Sequence, residues 1–154
     1  MEDRREKARD ELKTLIKLHY DRIQGYEHAK DDTDDADLKA LFSFYIQQSG
    51  QFRADLNAEM VKYGGEMPKD NTFLGDIHQA WMDLKASVLG NDREAVLSSC
   101  EFGEQTIVGA YEDVLKYDES DTRIPNELER ILNKQLEELR SAKKRIAVLH
   151  ANAD

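Results

Sequence analysis

Apolar residues recur along most of the chain at alternating steps of three and four, the spacing that places side chains on one face of an α-helix. From about residue 5 to 30 the stripe is Leu12, Ile16, His19, Ile23 and Tyr26. A second segment, about 35 to 63, carries the longest seam: Leu38, Phe42, Tyr45, Ser49, Phe52, Leu56, Glu59 and Tyr63. A shorter third segment runs through Ile77, Trp81, Leu84, Lys85 and Val88, and a fourth, about 92 to 117, has Val96, Cys100, Gly103, Ile107, Ala110, Val114 and Tyr117. The fifth opens after Pro125-Asn126 with Leu128, Leu132, Gln135, Leu139, Ala142, Ile146 and Leu149. β-Branched residues nowhere alternate with polar ones, so strands are not predicted.

The punctuation between the seams fits helix ends. Asp31-Asp32-Thr33-Asp34-Asp35 opposes the dipole at the end of the first helix and offers Thr33 or Asp34 as a cap for the second. Gly64-Gly65 supplies a left-handed stop. Asn71-Thr72 is a candidate cap for the third helix and Gly90 its end, and Asn91-Asp92-Arg93-Glu94 reads as a capping box opening the fourth. Tight turns join segments one and two, and four and five, so each pair is predicted to be an antiparallel hairpin. The third helix, at about 25 Å, is shorter than the ~40 Å of its neighbours and reads as a crossover. The expected fold is therefore all-α: a ferritin-like four-helix bundle of two antiparallel hairpins, with a short fifth crossover helix between helices two and four. One domain over 1–154, with its core in about 8–150, is expected from the length.

Composition narrows the function classes. The formal charge of −10 argues against nucleic acid or anionic membranes as partners, because phosphate backbones require clustered Lys and Arg. No apolar run approaches the ~20 residues that span a bilayer, the first residues lack an apolar signal core, and the single cysteine, Cys100, excludes an intrachain disulfide. A cytoplasmic protein is the resulting expectation.

A ferritin-like di-metal site takes Glu-x-x-His from two helices, because residues three apart share a helical face. Ile16, Gly25, Gly75 and Ala147 stand three before His19, His28, His78 and His150, so the motif is absent and neither a metal nor another cofactor is expected. Glu27 and Glu59 fall roughly 30 Å apart in the first hairpin by helical rise. In the second, Glu104 and Glu138 fall level with Glu101 one turn away, the carboxylate cluster to inspect for a cation; the plain alternative is that these flanking positions turn to water or pair with Lys143, Lys144 and Arg145. Cys100 reads as a buried inert thiol and His19 as a hydrogen-bonded core histidine. Trp81 reads as an anchor for the crossover, and no phosphate-cradling loop is present. Phe42, Phe44, Tyr45, Ile46 and Phe52 make helix two apolar beyond one stripe, which suggests a second contact surface. His78, Trp81, Phe44 and Tyr45 are thus the interaction or pocket candidates.

Several stretches resemble a bacterial ferritin-like four-helix-bundle family catalogued as a domain of unknown function: Asp21-Arg22-Ile23-Gln24-Gly25-Tyr26-Glu27, Gln48-Ser49 with Phe52, Gly64-Gly65, Ala80-Trp81-Met82-Asp83-Leu84-Lys85, and Cys100-Glu101 with Gly103-Glu104 and Tyr111. The resemblance implies the ferritin-like fold and a stress or survival setting, and no established reaction. Relatives often place a histidine in the last helix where this chain has Lys143, a departure that weakens a metal proposal further. The leading expectation is a non-catalytic bundle acting through protein contacts as a homodimer or with another protein. A carboxylate-bridged metal or redox protein using Glu101, Glu104 and Glu138 is the alternative, and a small-molecule binder near His78 and Trp81 the third.

Overall fold

A computed structural model describes residues 2–68, 93–116 and 122–153. They form four α-helices: α1 (Glu2–Asp31), α2 (Ala36–Lys62), α3 (Arg93–Leu115) and α4 (Asn126–Ala151). Helices α3 and α4 are the fourth and fifth segments predicted above, and no strand occurs among the described residues. The expected crossover helix with His78 and Trp81, and the proposed capping residues Asn91 and Asp92, lie outside the described residues.

Helix ends follow local chemistry. Gly64 adopts φ +83°, the left-handed conformation that glycine takes without a Cβ penalty. The Gly65 N–H then donates to Met60 O at 2.9 Å and the Gly64 N–H to Val61 O at 3.0 Å, a Schellman ending that satisfies the last carbonyls of α2. The start of α2 differs from the expected capping by Thr33 or Asp34. Asp35 occupies the cap position without a side-chain cap bond, because its carboxylate accepts from Arg93 Nη1 at 2.7 Å. Thr33 Oγ1 instead accepts the Asp35 N–H at 3.2 Å.

Helix α1 packs along α2, α3 along α4, and α1 against α3, whereas α2 and α4 touch sparsely. Contacts at the two ends fix the directions. Arg93 at the start of α3 pairs with Asp35 and Asp37 at the start of α2, and Lys62 at the end of α2 pairs with Glu127 at the start of α4. Helices α2 and α3 therefore run the same way, antiparallel to α1 and α4.

The inward faces form two hydrocarbon clusters. One gathers Leu12 and Leu15, Leu56 and Met60, Ile107 and Val114, and Leu128 and Leu132. The other gathers Tyr26, Leu38, Phe42, Val96, Leu97, Cys100 and Ile146. Burial of each such Leu, Ile or Phe contributes roughly 1.5–3 kcal/mol, which makes these faces the main stabilisation of the bundle. No described helix is long and apolar enough to cross a membrane.

Candidate functional site

Between the two clusters lies a layer of polar side chains supplied by all four helices. On α1, the stripe that carries Leu15 and Leu18 continues one turn later as Arg22, which is fully buried. On α3, the stripe Leu97, Cys100, Val108 and Tyr111 is interrupted by Glu104, 0% exposed. The two meet side-on: Arg22 Nε donates to Glu104 Oε1 at 2.6 Å and Nη2 to Oε2 at 3.1 Å. Such a two-point pair is among the stronger polar contacts available in a protein interior. Tyr26 and Tyr45 flank the guanidinium, with ring centroids 5.4 and 5.2 Å from its carbon, so the cation also meets two negative π-faces.

A hydrogen-bond chain leaves the ion pair from Arg22 Nη1, which donates to Ser49 Oγ at 2.7 Å and to Gln48 Oε1 at 3.0 Å. Ser49 Oγ lies 3.0 Å from His19 Nδ1, and His19 Nε2 lies 2.6 Å from the Tyr111 hydroxyl. Tyr111 donates to Gln135 Oε1 at 2.6 Å. A phenol has one proton to give, so its oxygen accepts from His19 Nε2–H. Neutral His19 then accepts from the Ser49 hydroxyl at Nδ1, and the donors point one way from Arg22 to Gln135. Neutrality follows from the surroundings, because burial first, and Arg22 and Arg53 second, hold the imidazole well below its ordinary pKa.

The same environment makes the other reactive groups inert. Burial first, and Glu104 second, push the Cys100 thiol well above its usual range; nucleophilic or redox chemistry needs the thiolate. Burial likewise raises Tyr111 and Tyr26, and burial followed by Glu104 lifts Tyr45 to about 12. Burial alone would lower Arg22, but Glu104, Tyr26 and Tyr45 leave it raised.

The carboxylates expected to cluster do not. Glu104 is inside and bonded to Arg22, Glu138 is exposed on α4, and Glu101 turns to His150. His150 Nε2 sits 2.9 Å from Glu94 Oε1 and its Nδ1 3.4 Å from Glu101 Oε2, and the bond to Glu94 is the main reason its pKa is raised. Among the described residues no group of three or more His, Cys, Asp or Glu could hold a metal ion. Of the contact candidates, Tyr45 is interior, packed on Tyr26, while Phe44 is 59% exposed.

Sequence reasoning missed Arg22 and the partnership with Glu104. A signal existed: opposite charges interrupt apolar stripes at matching depth on two helices. Both ends of the polar layer reach one groove, a space of about 780 Å³ between α2 and α4 whose lining includes Gln48 and Gln135. The sparse contact between those helices leaves it open.

No curated protein and no solved structure matches the chain. A family model does, over residues 7–117, a span that contains His19, Arg22, Ser49, Glu104 and Tyr111 and leaves only Gln135 of the polar chain outside. On that match, the chain belongs to the family described as Domain of unknown function (DUF2383).

Proposed function

We propose that this protein is a non-catalytic, ferritin-like helical bundle that works by binding other proteins, a second copy of itself first among them. The observation that carries the non-catalytic reading is the occupation of Glu104. Both its oxygens accept from Arg22, and both nitrogens of His19, the histidine of the same layer among the described residues, are engaged. A metal would have to displace a buried guanidinium that is already neutralised, at the cost of leaving a cation unpaired. The ferritin-like affiliation is supported by the shared direction of α2 and α3. The cytoplasmic setting is supported by the lone buried thiol, and the bacterial stress or survival setting rests on the family resemblance.

Metal analysis of protein purified without chelator tests this. Iron and manganese well below one per chain are expected; a stoichiometric metal that disappears in Glu104→Ala would reverse the reading.

The contact surface is assigned to the outer side of α2 and α4. Phe44 is 59% and Val148 53% exposed, and the pairing of Lys62 on α2 with Glu127 on α4 sets them within about one helical turn of each other in height along the axis. Large apolar side chains exposed at one level on these two helices support a contact site there, and twofold dimers are the commonest soluble oligomers. Light scattering is expected to give a dimer, and Phe44→Asp a monomer with unchanged helical circular dichroism. A monomeric parent protein at micromolar concentration counts against the dimer.

A further inference from the structure

Two polar side chains that line the groove between α2 and α4, Gln135 and Glu59, each have a buried atom with no hydrogen-bond partner among the described residues. Gln135, 3% exposed, uses its Oε1 for Tyr111, and its Nε2 has no hydrogen-bond partner among the described residues. Glu59 Oε1 is also buried without a hydrogen-bond partner among them, its closest cation being Lys62 Nζ at 3.9 Å. Native interiors rarely leave a buried donor and a buried acceptor unmet. Both residues line the same space. The pairing of Lys62 with Glu127 sets Gln135 level with about residue 54, so the two atoms lie five residues of rise, about 7 Å, apart along the axis.

We propose that this groove binds a small organic cation, with its ammonium at Glu59, a hydrogen-bond acceptor at the Gln135 amide, and a flat apolar body between them. The volume of about 780 Å³ falls in the range of ligand pockets, about 300–1,000 Å³, and far exceeds the ~30 Å³ of one water. The charge selects a cation: Asp55, Glu59 and Glu138 line the groove against Lys134 alone, on a chain of formal charge −10. Phe44, Phe52, Ala58 and Ile131 supply the apolar lining. The walls thus offer an unpartnered amide donor at Gln135, an excess of carboxylates and an apolar middle, which an amine on a short aromatic frame complements and an anion does not.

The site does not use Glu104 and so stands apart from the metal-free reading. Phe44 borders both the groove and the proposed dimer surface, so the titration is run on the Phe44→Asp monomer beside the parent, and binding is expected in both whatever becomes of the dimer. Tyramine is the probe, an aromatic ammonium with a hydroxyl at the far end of the ring, titrated into the full chain and followed by nitrogen–proton correlation spectra. Saturable shifts at the Gln48 and Gln135 side-chain amides and along 131–138 are expected at millimolar concentration. Glu59→Gln and Gln135→Leu should each weaken binding about tenfold or more. 4-Hydroxyphenylacetate, which keeps ring and hydroxyl but carries a carboxylate, should give no saturable shift. The unfolding midpoint of Glu59→Gln is measured beside its binding; should the variant be destabilised, Asp55→Asn, exposed on the same wall about one turn away, removes a charge from the same end of the groove. No saturable shift with tyramine, shifts confined to other residues, or equal binding by the folded charge variants overturns the site.

Discussion

Replacing Glu104 with Leu is expected to cost about 3–5 kcal/mol of unfolding free energy, because it strands the Arg22 guanidinium in a layer that water does not reach. The same loss is expected from Arg22→Met, which leaves the carboxylate unpaired and also removes the donor to Ser49 and Gln48. The double variant, with both charges gone and the volume refilled by hydrocarbon, should be less damaged than either single one. The attraction between the charges only offsets the desolvation each has suffered, so removing both removes the penalty as well. Urea unfolding of the parent, the two singles and the double closes the cycle. Losses that simply add would show that the two side chains do not act as a pair.

Stability is also expected to fall as the solution is acidified below about pH 6.5, with His19 as the main histidine contribution. Its folded-state pKa lies well below the ordinary value, chiefly through burial. The unfolded chain therefore takes up a proton at His19 near the ordinary pKa while the native state refuses it. Protons bound in the unfolded state exceed those bound in the native state, so stability is full above the unfolded pKa and drains away as pH drops toward the folded one. The slope approaches about 1.4 kcal/mol per pH unit for one such group. His150 has the opposite sign: its raised pKa gives stability that is present at low pH and lost as pH rises through the folded value. Measuring urea midpoints between pH 7.5 and pH 5 for the parent and for His19→Gln separates the two. The variant, whatever its own stability, should show a flatter acid limb, and a limb as steep as the parent's would remove His19 from the account.

The helices and most of their inward faces were legible because period and punctuation act locally. Leu38, Phe42, Tyr45, Ser49, Phe52, Leu56 and Tyr63 are all buried as their spacing predicts, and so are Leu128, Leu132, Gln135, Leu139, Ala142 and Ile146. Gly64 ends α2 as its neighbours suggest. The failures begin where a helix chooses its rotation against partners. Ile23, expected on the stripe of α1, is only half-buried, and Arg22 beside it is inside. Residue spacing cannot decide between them, since the preference for burying a guanidinium comes chiefly from a carboxylate 82 positions away. Glu104 was placed beside the seam through Gly103 for the same reason: α3 buries a wider face, reaching Leu97, Val108 and Tyr111. The cap at Asp35 also depends on a distant residue, Arg93. The groove was illegible because it is a property of how loosely α2 and α4 meet, which neither seam encodes.

The ion pair joins α1 to α3, one helix from each hairpin, and His19 with Tyr111 joins the same two. Two hairpins greased only by leucine could slide past one another by a turn, about 5.4 Å, and bury nearly as much hydrocarbon. Here a slide of that size would set the guanidinium against Cys100 on α3 and the carboxylate against Leu18 on α1. The charged layer is thus an index pin that admits a single alignment of the halves, and a bundle assembled by exchanging hairpins between two chains would be held to that same alignment.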